Sequence, residues 1–272
     1  MAIQPLLMNP VGAAAAVLSV VAFAMTYTAL VRRPRRVRWL GLLLFGVLAV
    51  PSVLFVVYYL HVLPERVWFY TLRSWRYSEL LVIFLGCAGG ALASLLPRLL
   101  LGLVLAGVLA GALFPHLKPV LGPLPDEVFA DQWDGDACLQ STPSTCGPAS
   151  VTTILHSFGI AASEKTTARA AYSYSRGTEA WYLARYVRSL GLEPHFVFRS
   201  TFSPSDSLPA LVGVRIGGMG HFIAVLEASN EQVTYADPLS GKSTVSLAEF
   251  RKRYEFTGFR MVVSRPKLIA KV

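Results

Sequence analysis

Four residues in the second half of this 272-residue chain can together carry out acyl transfer through a thiol: Cys146, His221, Asp237 and Gln140. Cys146-Gly147-Pro148 opens an apolar run in which Val151, Ile154, Leu155 and Phe158 recur at helical spacing, so Cys146 falls in the first turn of a helix. Unpaired N–H groups and the helix dipole favour negative charge there, and the thiolate is the reactive form of the side chain. Pro148 fits the same turn, where a missing N–H costs nothing. A lone cysteine is more often a small buried apolar residue, so the assignment leans on its partners.

His221 and Asp237 supply the first of these. Two β-rich runs flank Ser229, and if Ser229 centres the turn between them, His221 and Asp237 are equally far from it and face each other. Their Cβ atoms would then be about 4.5 to 5.5 Å apart, close enough for the carboxylate to hold the imidazole. The carboxylate would fix the tautomer and stabilise the imidazolium formed on proton transfer. Gln140, shortly before Cys146, carries an amide N–H that can receive the negative charge developing on a carbonyl oxygen.

These groups need elements to hold them. After the Cys helix, which Gly159 ends, the pattern predicts a helix over Ser163 to Tyr172 and another over Thr178 to Leu190, with Gly191 as its stop. Six β-rich runs follow: Pro194 to Phe198, Ala210 to Ile216, His221 to Ala228, Gln232 to Ala236, Ser243 to Ser246 and Gly258 to Ser264. A short helix near Leu247 to Tyr254 interrupts them. Helices first and an antiparallel sheet afterwards make an α+β domain.

The first half is of another kind. The chain is 54% hydrophobic and only 15% charged, and its mean hydropathy is +0.50, too apolar for one ordinary water-soluble domain. Charged side chains are missing from Met1 to Val31, Trp39 to Pro64, Leu80 to Pro97 and Leu99 to Leu117. Each stretch matches or exceeds the roughly 17 to 25 residues that cross a bilayer as a helix. A signal peptide would begin with a basic segment, and the first Lys or Arg is Arg32. Four spans are therefore expected over residues 1–117, a Pro- and Asp-rich linker over 118–136, and a compact domain over 137–272.

The first loop carries Arg32, Arg33, Arg35, Arg36 and Arg38, and the third carries Arg98, which makes the odd loops cytoplasmic by the positive-inside rule. The compact domain then lies on the outer side of a cell membrane. Trp68, Phe69, Tyr70, Trp75 and Tyr77 in the second loop read as interfacial aromatics. The net charge of +9 is concentrated in the first loop and suits anionic lipid rather than nucleic acid. Glycines at four-residue spacing, Gly86 with Gly90 and Gly107 with Gly111, read as ordinary helix-packing residues.

Around the chemical groups a family resemblance emerges. Gln140, Cys146-Gly147-Pro148-Ala149, Gly220-His221-Phe222-Ile223-Ala224-Val225 and Tyr235-Ala236-Asp237-Pro238-Leu239-Ser240-Gly241 resemble the bacteriocin-processing, double-glycine-leader peptidase family of papain-like cysteine peptidases. The similarity extends through Gly177 to Leu192 and Leu247 to Phe250, covering nearly all of Cys138 to Val263 and none of the membrane part. It implies a papain-like fold with Cys146 as nucleophile, His221 as general base and then acid, Asp237 as orienter and Gln140 as oxyanion donor. In transporter-fused members the peptidase domain precedes the membrane domain and is cytosolic, whereas here it follows four spans. Those members often have Asp before the Cys, where this chain has Thr145.

The function expected is a membrane-anchored cysteine endopeptidase acting on peptide or protein substrates at a lipid bilayer, without cofactor or metal. Cys138, Cys146, His156 and His221 lack paired ligand spacing for zinc. Cys138 is expected as a free thiol, although a bridge to Cys146 would give a redox-locked resting state. The same groups could hand the acyl group to an amine or thiol, as an acyltransferase or transpeptidase. A catalytically silent peptide-binding module is the reading from another class, and its usual mark, a lost Cys or His, is absent.

Overall fold

The computed structural model describes residues 9–266; the ends of the first and last expected segments lie outside them. The amino-terminal half forms helices α1 (Pro10–Leu30), α2 (Arg35–Tyr59), α3 (Val67–Ser74), α4 (Ile83–Leu95), α5 (Leu101–Leu113) and α6 (Leu117–Leu121). With short 3-10 turns included, Pro10–Leu30, Arg35–Tyr59, Ser78–Leu95 and Arg98–Leu121 are each long and apolar enough to cross a membrane. Gly86 and Gly90 let α4 approach α1 closely: a Cβ on Gly86 would sit 1.9 Å from the Ser19 carbonyl oxygen, and one on Gly90 2.4 Å from that of Phe23. Gly107 faces open space instead.

The chain divides into two compact units. One comprises the residues up to Glu65 together with Tyr77–Leu121; the other joins Arg66–Arg76 to everything from Gly122 onward. The second unit contains the short pair β1 (Trp133–Asp134) and β2 (Ala137–Cys138), then α7 (Cys146–Ser157), α8 (Glu164–Ala170) and α9 (Ala180–Ser189). β3 (Glu193–Phe198), β4 (Ala210–Ile216), β5 (Met219–Ala228), β6 (Gln232–Asp237), β7 (Gly241–Ser246), α10 (Leu247–Arg253) and β8 (Glu255–Ser264) follow. Six strands pair antiparallel in the order β3-β8-β4-β5-β6-β7. Helices before an antiparallel sheet is the α+β arrangement expected. Gly159 and Gly191 follow α7 and α9 at φ of +75° and +82°, a left-handed turn that glycine enters without a Cβ penalty.

The apolar face of the sheet carries Val212, Val214, Ile223, Val225 and Tyr235, covered by Phe202, Phe250 and Tyr254. α7 lies against β5, its residues Cys146 to Leu155 buried. Gly147 sets the spacing, because a Cβ there would come 3.1 Å from Leu183 and 3.4 Å from Phe222.

The segment between the second and third long apolar helices departs from its expected interfacial role. Trp68, Trp75 and Tyr77 are exposed, but Phe69 and Tyr70 are buried within the second unit. The ring of Tyr70 lies 5.3 to 5.6 Å from those of Trp181, Phe196, Phe198 and Phe259, centre to centre, and Phe69 meets Trp181 edge-on. The carbonyl ends of α3 are also held: Arg185 Nε donates to the Arg73 carbonyl at 2.9 Å, and Arg188 donates to that of Ser74. One face of a short helix satisfied by this many rings is core, not membrane interface.

Candidate active site

Cys146 is the first residue of α7, and Thr145 stands at the position before it without a side-chain bond to the helix N–H groups. Thr145 Oγ1 accepts from the Thr142 N–H at 3.1 Å, so this residue closes the loop that delivers the cysteine. Cys146 is 9% exposed. Ser150, one turn on, donates its hydroxyl to the Phe222 carbonyl at 3.0 Å, joining α7 to β5 beside His221.

His221 Nε2 hydrogen-bonds to Asp237 Oδ1 at 2.8 Å, and both side chains are buried. The register that joins them differs from expectation. Ala224 pairs with Ala236 and Val225 with Tyr235, and the ladder slips at a bulge between Val225 and Glu227. Extended outward, this register sets Asp237 opposite Ile223 and places His221 two residues beyond. The error is two residues, and because strand side chains alternate with period 2, the face is preserved. His221 and Asp237 are thus diagonal neighbours past the last paired residues, not a directly opposed pair.

Asp237 is surrounded by donors. Oδ1 also accepts the Leu239 N–H at 3.0 Å, and Oδ2 accepts the Tyr254 hydroxyl at 2.7 Å. Burial works to raise its pKa, yet the bonds from His221, Leu239 and Tyr254 hold it below the ordinary carboxylate value. An ionised Asp237 makes Nε2 of His221 the donor and leaves Nδ1 for the thiol. Burial pulls the imidazolium down, while hydrogen bonds to Asp237 and Cys146 outweigh it and carry its pKa up to about 9.

Gln140 lies between β2 and α7. Its N–H donates to the Pro238 carbonyl at 3.0 Å, tying the loop before the cysteine to the loop after Asp237. Its Nε2 donates to the Thr142 carbonyl at 2.8 Å, which commits one of the two amide hydrogens. Cys138 is a buried free thiol whose pKa is pushed up to about 12 by burial and by the charges of Glu164 and Asp131, so it stays protonated. His156 lies tilted against Trp133, with ring centres 5.2 Å apart, and His195 is beside Glu193. Among the described residues no group of three or more His, Cys, Asp or Glu side chains gathers to hold a metal ion.

Tyr254 and Ser150 were not legible as site residues. Tyr254 stands at the end of a predicted helix, and Ser150 is one small polar residue inside an apolar one; neither spacing carries a chemical signal.

A thiol at a helix head and a carboxylate-braced imidazole on an antiparallel sheet are the equipment of a cysteine peptidase. Residues 136–267 match the peptidase C39 family. An uncharacterized protein of Methanothermobacter thermautotrophicus is 30% identical over 128 residues, which are 47% of this chain and 87% of that protein. The chain belongs to the peptidase C39 family. It is also 25% identical over 136 residues to the probable functional amyloid protease FapD of Pseudomonas aeruginosa, spanning 47% of this chain and 60% of that protein. Among solved structures, a double glycine motif protease from an AMS/PCAT transporter, in complex with the leader peptide, aligns at 18% identity and a TM-score of 0.41. That alignment covers 47% of this chain and 89% of the other.

Proposed function

We propose that this cysteine peptidase is a membrane-anchored endopeptidase in which Cys146, His221, Asp237 and Gln140 are the catalytic groups and exported or membrane-associated proteins are the substrates. The observation that carries this reading is the His221–Asp237 hydrogen bond of 2.8 Å beside a thiol at the head of α7. Cys146 Sγ, deprotonated by His221, attacks the peptide carbonyl carbon and forms the C–S bond. Negative charge on the carbonyl oxygen is received by the Cys146 N–H and the second amide hydrogen of Gln140. His221 gives its proton to the leaving nitrogen as the C–N bond breaks. Water, deprotonated by His221, then attacks the thioester carbon, the C–S bond breaks and the thiol regains a proton.

The peptidase unit belongs on the outer side of the membrane. Four spans put the second loop and everything after the fourth on one side, opposite the five arginines of the first loop. Arg66–Arg76 and the chain from Gly122 onward form one compact unit, which supports that parity. A reporter fused after Val272 tests the side: activity of a cytoplasm-only reporter there overturns it. Comparing exported and membrane proteins from cells carrying wild type and Cys146→Ala tests the activity. Uncut precursors are expected only in the variant, and identical patterns under expressing conditions would count against hydrolysis.

A further inference from the structure

We propose that Tyr254 is a positioning residue for the reaction, holding the Asp237 carboxylate in the orientation and charge state that lets it brace His221. The proposal rests on the Cys146–His221–Asp237 reading above and adds a fourth member behind it. Tyr254 follows α10, far in sequence from both partners, and is 3% exposed, so it reaches neither solvent nor substrate. Its ring is fixed edge-on against both Tyr235, 5.5 Å between centres, and Phe250 at 5.6 Å. From that seat its hydroxyl meets Asp237 Oδ2 at 2.7 Å.

The geometry divides the carboxylate. Oδ1 serves His221 and the Leu239 N–H, while the hydroxyl of Tyr254 serves Oδ2. With both oxygens occupied the carboxylate plane cannot turn, and the oxygen facing Nε2 is always the same one. Without the hydroxyl, Oδ2 becomes a buried anionic oxygen short of a donor, a costly state relieved by protonating or rotating the carboxylate. Either response loosens the Nε2–H bond, weakens the imidazolium and lowers the population of the thiolate–imidazolium pair.

The titratable and charged groups around Asp237 are few. His221 comes from β5, with Cys146 beyond it at the head of α7, and Tyr235 comes from β6. Arg253 stands at the end of α10, its guanidinium 5.8 Å from the Tyr254 ring centre and 5.9 Å from that of Tyr235. From the β6–β7 turn side, the Asp134 carboxylate of β1 lies against Gly241, the strand partner of Asp237, and Lys242 of β7 is paired with Asp136.

Iodoacetamide tests this on the full chain, with alkylation read on the Cys146 peptide by mass spectrometry across pH. Tyr254→Phe keeps the ring and removes only the hydroxyl. The expected result is about tenfold slower alkylation near pH 6, with the acid limb displaced to higher pH and the thermal midpoint little changed. In an Asp237→Asn background the same substitution is expected to add nothing, because Tyr254 acts through that carboxylate. Wild-type rates in Tyr254→Phe, or an equal further loss on top of Asp237→Asn, would overturn the positioning role while leaving the parent reading intact. If wild-type Cys146 reacts no faster than glutathione at pH 6, the parent reading fails and takes the positioning role with it.

Discussion

Ser150 Oγ lies 3.0 Å from the carbonyl oxygen of Phe222, so the helix that presents Cys146 is pinned to the residue directly after His221. Cys146 and His221, the proposed nucleophile and base, thus share one short mechanical link that contains neither of them. Ser150→Ala removes a neutral hydrogen bond, with an expected stability loss of about 1 kcal/mol. Cys146 alkylation by iodoacetamide is expected to slow more than that loss alone predicts. Chemical denaturation and alkylation of the same sample check both.

The His221 imidazolium, raised to about 9, predicts a basic limb near pH 9 for peptide hydrolysis, since the ring must be protonated to serve the leaving amine. The stability it contributes is fully present below its unfolded pKa of about 6.5 and is lost as pH rises through the folded value. Asp237 runs the other way. Its lowered pKa contributes stability above the unfolded value of about 3.9, lost as pH falls through the folded one. A rate profile with unfolding midpoints across the same range tests both signs. Asp237→Asn is expected to move the basic limb toward neutrality.

Tyr70 gives the largest expected effect outside the site. It packs on four rings, so Tyr70→Ala opens a cavity and should cost about 3 kcal/mol in the peptidase unit. Trp68→Ala, two residues earlier and exposed, should stay within about 0.5 kcal/mol. Denaturant unfolding followed by Cys146 accessibility separates the two.

Within the long apolar helices, Gly86→Ala places a methyl group against the Ser19 backbone and must push α1 and α4 apart, whereas Gly102→Ala meets nothing within 4 Å. The onset temperature of thermal aggregation in detergent should drop for the first variant and not for the second.

Periodicity made much of the architecture legible. β4 runs over Ala210–Ile216 as its β-rich run predicts, and the helix predicted from Val151, Ile154 and Leu155 does begin at Cys146. What escaped depends on distant partners. The β5–β6 turn centres between Asn230 and Glu231 and not on Ser229, and a bulge after Val225 takes back only one residue of that offset; neither is encoded in the apolar pattern of the two strands. Phe69 and Tyr70 read as interfacial because aromatic residues beside a span suit a headgroup region; only Trp181, Phe196 and Phe259, far along the chain, turn them inward. The link from Tyr254 to Asp237 likewise joins residues whose proximity comes from the fold of α10, not from spacing.

α3 has a consequence for how this protein is made. Its tyrosine is synthesised with the second hydrophobic helix, yet one ring that encloses it, Phe259, belongs to the last strand. The unit that bears the thiol is therefore discontinuous and closes only once β8 has been made, a long-range contact of the slow-forming kind. Cutting the gene at the proline-rich junction would release an enzyme with a missing plug, its greasy socket open to water and to other copies.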